Sequence, residues 1–255
     1  MVSPLPATKF QELYGPVVRS FLRRPDEVSL RRIEAEVEKL KSADPIGMLE
    51  LKAHIAEARG AHAKAVQLYE QALKGSGNRL DVLRRYMSML SAAGHDMELK
   101  ELYERTRGCF VGNPSALRAA MNVLAASGWW QLSQAIEPEL RKMALPTDSD
   151  DEKFCNLSSE NVPEESVVPV VSFVKTYLRS MNAALEGVES MTVPREDGTS
   201  ALFYQFLVNE SSERAAELEW SLFEALDEQR FAVESARELV VAIAGLEVPA
   251  HAHLS

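Results

Sequence analysis

Three glycines, Gly60, Gly94 and Gly128, stand 34 residues apart along the chain, in the stretches AEARGAHAKAVQLYEQAL, SAAGHDMELKELYERT and AASGWWQLSQAIEPEL. Apolar residues recur at helical spacing on both sides of each. A fixed period in this range predicts stacked helix–turn–helix units, none of which can bury its apolar face alone. The first unit reads as a helix over 48–58 and a second over 61–74. In the next, Leu83, Tyr86, Met87, Leu90, Leu99 and Tyr103 keep the spacing, and Pro114 ends it. The third has Leu117, Ala120, Met121 and Leu124, but Pro138 falls inside its outer helix, so the stack is expected to end there.

Within the first unit a bulky Leu49 is followed four residues on by Ala53. After the turn come Ala65, then Tyr69, then Ala72. Small residues let two helices approach, and an aromatic fills the gap to the next pair. This pattern over about residues 48–140 resembles the tetratricopeptide repeat. The second unit departs from it, with Leu99 and Thr106 at the small positions. The third departs further, with Glu137 at the aromatic position. The resemblance implies an α-helical repeat domain over 1–145. A degenerate first pair or cap is expected near Phe10–Arg24 and in the helix that follows Asp26.

Residues 146–166 are acidic, polar and proline-containing, which is linker composition. The remainder, 167–250, changes period and predicts a small acidic α+β domain. A helix is expected from Val167 to Gly187, then strands at 189–194 and 199–208 around an Asp197–Gly198 turn. Both faces of the second strand are apolar, so it is expected to be central and covered on both sides. A helix over 213–228 follows, with Leu218, Leu222, Phe223 and Leu226 inward. Residues 238–247 suit a buried strand, or a helix ending at Gly245, with the strand preferred. The order helix–strand–strand–helix–strand resembles part of a ferredoxin-like split βαβ fold.

Charge separates the halves. Residues 1–145 sum to +4 and residues 146–255 to −14, within a net charge of −10. The acidic half argues for no nucleic-acid partner there, because phosphate contacts need lysine and arginine. No apolar run approaches the ~20 residues of a membrane span, and the first residues lack a signal-peptide pattern, so no membrane partner and a cytoplasmic location are expected. Cys109 and Cys155 are too few for a disulfide framework or a zinc site, and His251 and His253 lie in the last five residues. No phosphate loop, nucleophile elbow or zinc-protease motif is present, so a non-enzymatic protein without cofactor or metal is expected.

The repeat resemblance implies a concave groove lined by the inner helices. Its positions here are Glu50, His54 and Glu57; Arg84, Ser88 and Ser91; and Arg118, Asn122 and Ala125. Arg84 and Arg118, one period apart, suit a peptide carboxylate or acidic side chains. Trp129 and Trp130 follow the third glycine directly. They suit either an exposed hot spot or a contact with the second domain, and burial of at least one against that domain is expected. The leading expectation is an adaptor that binds a protein or peptide through the concave face. The alternative is an acidic inhibitor, antitoxin-like or immunity-like, masking a basic partner through its C-terminal domain.

Overall fold

The computed structural model describes residues 6–22, 27–143, 163–194, 200–229, 231 and 239–246. The described residues are mostly helical, with one small three-stranded mixed sheet near the C-terminus. The chain divides into two compact units, Met1–Met89 and Leu90–Ser255. The linker expected at 146–166 lies almost wholly outside the described residues. The division instead falls inside a helix, because the residues around Gly94 and Gly128 pack with the sheet domain.

In the first unit, α1 (Pro6–Leu22) and α2 (Glu27–Glu38) precede α3 (Pro45–Ala58), α4 (His62–Ser76) and the start of α5 (Leu80–Ala93). Helix α1 begins at a proline, which loses no hydrogen bond in a first turn, and runs through Pro16. Helix α3 begins at Pro45, earlier than Met48, since the Asp44 carboxylate caps it by accepting from the Gly47 N–H at 2.9 Å. Leu13, Val17, Leu30, Val37, Leu40, Leu51 and Ile55 form one core. Ala53, Ala65 and Ala72 are fully buried, as helix contact requires, and Tyr69 stacks flat on Tyr86 with centroids 4.6 Å apart.

The second unit continues with α6 (Asp96–Thr106), a 3-10 turn, α7 (Pro114–Ala125), and short α8 (Trp130–Gln134) and α9 (Glu137–Lys142). The outer helix of the third pair is thus broken, with Pro138 in the first turn of α9. After residues 144–162, which are not described, come α10 (Glu164–Ser180), β1 (Leu185–Pro194), β2 (Ser200–Val208), α11 (Ser212–Glu228) and β3 (Leu239–Gly245). Helix α10 ends seven residues before Gly187. Asn182 takes the left-handed conformation at φ 58°, and the Ala183 N–H returns to the Leu178 carbonyl. Gly187 lies in β1 instead, beside a register shift.

The strand order is β1-β2-β3, with β1/β2 antiparallel and β2/β3 parallel. Residues 239–245 are therefore a strand. Because β2 and β3 are direct neighbours, β2–α11–β3 is an unsplit βαβ crossover, unlike the split arrangement that the element order resembles. Strand β2 is central, with one face packed in the core and the other only partly covered, where Ala201 is buried but its neighbours are not. Leu202, Tyr204, Phe206 and Val208 meet α10 and α11 in one core with Trp130, while Phe203 and Leu207 are half-buried and Val240 beside them is exposed. Both helices lie on the same side, so among the described residues no helix covers the second face. The Glu219 carboxylate of α11 accepts from the Ile243 N–H, which blocks a donor on the outer edge of β3.

The same turn recurs at the three periodic glycines. Each has φ between 74° and 86°. Each is followed by a residue whose N–H reaches back to a carbonyl of the preceding helix: Ala61 to Ala56, His95 to Leu90 and Trp129 to Leu124, at 2.9, 2.9 and 3.0 Å. This is the Schellman closure, and only glycine adopts its left-handed residue without strain. Space differs between the sites. A Cβ on Gly60 would meet nothing within 4 Å, whereas one on Gly128 would lie 3.1 Å from the Val168 Cα of α10. Gly60→Ala is expected to cost about 1 kcal/mol from backbone strain alone. Gly128→Ala is expected to cost about 2–3 kcal/mol, because α10 must also retreat. Urea unfolding of the two variants checks this, and equal losses would mean that α10 does not press on the turn.

Candidate functional site

The inner-helix positions separate into buried and exposed sets. Glu50 is 1% exposed and bound in two places by Arg85, at 2.5 and 2.9 Å. Arg85 also donates to Asp81 at 3.0 Å and lies over the Phe10 ring, 5.0 Å from its centroid. Burial works against the Arg85 charge, but the bonds and charges of Glu50 and Asp81 outweigh it and hold its pKa above the ordinary value. Burial pushes the Glu50 carboxyl upward against the pull of Arg85. His54 is 2% exposed, shares a 2.8 Å hydrogen bond with the Tyr69 hydroxyl, and meets Tyr14 edge-on. Burial, with the Arg85 charge adding to it, lowers the His54 pKa to about 4, so the ring is neutral at pH 7. Glu57 is buried against His62 at 2.8 Å. Helix α1 packs on α3 and supplies Phe10 and Tyr14 to this network. Glu50 and His54 are thus interior groups and not a binding surface.

Arg84 and Ser88 are exposed, one turn apart on α5. On α7, Asn122 is exposed and Arg118 half-buried, again one turn apart. Ser91 and Ala125 are buried. The backbone carbonyl of Ala125 accepts from the Tyr204 hydroxyl of β2 at 3.1 Å.

Both expected tryptophans are buried. The Trp129 indole N–H donates to the Asp96 carbonyl at 2.7 Å, with Lys100 over the ring at 4.3 Å. Trp130 belongs to the core shared with the sheet. Helix α8 and the α+β elements therefore meet through apolar contact, and α7 joins them through the Ala125–Tyr204 hydrogen bond.

A buried polar cluster at this junction had no signal in the sequence. The Lys175 ammonium, from α10, donates to Asp96 at 2.9 Å, Ser91 at 3.2 Å and Ser127 at 3.1 Å. The Ser91 and Ser127 hydroxyls lie 2.8 Å apart, and Ser172 donates to the other Asp96 oxygen at 2.7 Å. Lys175 and Asp96 are nearly inaccessible, and burial, partly offset by Asp96, lowers the Lys175 pKa. Helix α10 also caps α8, where Glu164 accepts from the Gln131 and Leu132 N–H groups. The cluster fixes α10 across the turns at Gly94 and Gly128. A Cβ on Gly94 would meet Thr176 and Ser172 of that helix at 3.0 and 3.1 Å.

The remaining departure lies on α11. Phe223, expected inward, is 44% exposed, and Trp220 beside it is 73% exposed. A helical-wheel reading reaches this outcome, since Trp220 lies about 160° from Leu218 and Leu222 and Phe223 about 100° or more from both.

Comparison with protein-family models, curated proteins and solved structures returns no match. Among the described residues no helix is long and apolar enough to cross a membrane.

Proposed function

We propose that this chain is a non-enzymatic, cytoplasmic adaptor whose N-terminal helices form a tetratricopeptide-like repeat that binds a protein or peptide. The observation that carries this reading is the same Schellman closure at Gly60, Gly94 and Gly128, at one fixed period. The burial of Ala53, Ala65, Tyr69 and Ala72 at the pattern's small and aromatic positions supports it. Repeats of this kind present inner-helix side chains to partners. Here the accessible ones are Arg84, Ser88 and Asn122, with Arg118 half-buried.

The test starts from partners captured with the full chain and identified by mass spectrometry. Arg84→Glu, alone and with Arg118→Glu, is then compared with wild type by calorimetry against the purified partner. Loss of an arginine anchor is expected to weaken binding about tenfold or more, equivalent to about 1.4 kcal/mol. Arg84→Glu should leave the thermal midpoint nearly unchanged, since Arg84 is exposed. Affinity equal to wild type in both variants would remove these helices as the main binding surface.

A further inference from the structure

Helix α11 is amphipathic, yet its solvent side carries the most exposed large aromatic side chain among the described residues. Trp220 and Phe223 share this side with Ala216. Rotation of 100° per residue sets Glu213, Glu217, Glu224, Asp227 and Glu228 around them, and all five are exposed. The single basic residue of the helix, Arg214, is tied to Glu217 at 2.8 Å. The Trp220 indole N–H donates to Glu224 at 3.1 Å, one turn on.

We infer that the outer face of α11 is a docking surface for a basic protein, with Trp220 and Phe223 entering an apolar cleft rimmed by lysine or arginine. Charge selects this occupant. A second copy of the chain would bring the five carboxylates face to face, and nucleic acid or an anionic lipid surface would be repelled in the same way. Within α11 itself six carboxylates stand against the one arginine. Aromatic anchors encircled by charge match the anatomy of a hot spot with a polar rim. This surface stands independently of the repeat helices, and its failure would leave the adaptor reading untouched.

The probe is a helical peptide of lysine and leucine with one apolar face, set beside its glutamate-for-lysine counterpart. Trp129 and Trp130 are buried, so the difference in fluorescence between the full chain and Trp220→Phe isolates Trp220. The lysine peptide is expected to shift that emission to the blue and to saturate. Affinity, read by calorimetry so that variants without Trp220 can be compared, should fall about tenfold in Trp220→Ala and in Phe223→Ala, each an exposed site whose thermal midpoint stays at the wild-type value. It should fall again in Glu213→Gln/Glu217→Gln, and on raising salt from about 50 to about 300 mM. Binding of equal strength in Trp220→Ala would overturn the inference. So would equal binding of the glutamate peptide, which would mark mere apolar adhesion. Sedimentation of the free chain as a dimer that Trp220→Ala dissolves would assign the face to a second copy instead.

Discussion

Lys175→Met is expected to destabilise the second unit by about 3–5 kcal/mol, the cost of leaving one partner of a buried ion pair uncompensated. The variant retains most of the side chain's volume but removes the ammonium from Asp96, Ser91 and Ser127. Asp96 is then a buried carboxylate whose nearest donor is the Ser172 hydroxyl. Guanidinium unfolding, followed by tryptophan emission, reads the loss because Trp129 hydrogen-bonds the Asp96 backbone. Asp96→Leu added to Lys175→Met should recover most of the stability, since an apolar pair of similar volume is often as stable as the ions it replaces. A single-variant loss below about 1 kcal/mol would mean that α10 is held by its valines alone.

The second large effect is a loss of stability in acid, centred on His54. Its folded pKa is about 4 against 6.5 for the free side chain. Above pH 6.5 neither the folded nor the unfolded chain carries the proton, and the histidine has no influence. Between pH 6.5 and about 4 the unfolded chain takes up a proton that the folded one refuses. Stability therefore falls through that window, by about 3 kcal/mol at about 1.4 kcal/mol per unit. Glu50 acts in the opposite sense: its raised pKa lets the folded chain bind a proton first, so it offsets part of the loss at the acid end. Urea titrations of wild type and His54→Gln at pH 7 and pH 4.5 separate the two. The variant should lose distinctly less stability between the two pH values, and parallel loss would clear His54 of the role.

The helices were legible in the sequence where a period enforced them. Gly60, Gly94 and Gly128 mark the ends of helices because each takes the left-handed conformation that closes the preceding helix. Tyr69 and the three alanines occupy contact positions whose size is dictated by helix separation. The strand expected over 199–208 was legible from its run of aromatic and apolar residues after the Asp197–Gly198 turn signal. Boundaries set by a single residue were not: Asn182 does at the end of α10 what Gly187 was expected to do. Burial of Glu50 and His54 was hidden because α1, which covers them, matches the repeat pattern poorly. Lys175 and Asp96 are 79 residues apart, and no local pattern joins two such positions. Phe223 is apolar, but helical phase sets it about 140° from Leu218, and it lies exposed.

Helix α10 lies late in the chain yet completes a surface made much earlier. Synthesis proceeds from the N-terminus at about 5–20 residues per second, so Asp96 leaves the ribosome roughly 4–16 seconds before Lys175 does. During that interval the turns at Gly94 and Gly128 have no helix against them, and Trp130 has no sheet. The nascent chain thus displays an apolar face with a carboxylate awaiting its counter-ion. Completion of this core waits for residues 164–180 and for the strands through Gly245, rather than for the helices that form first.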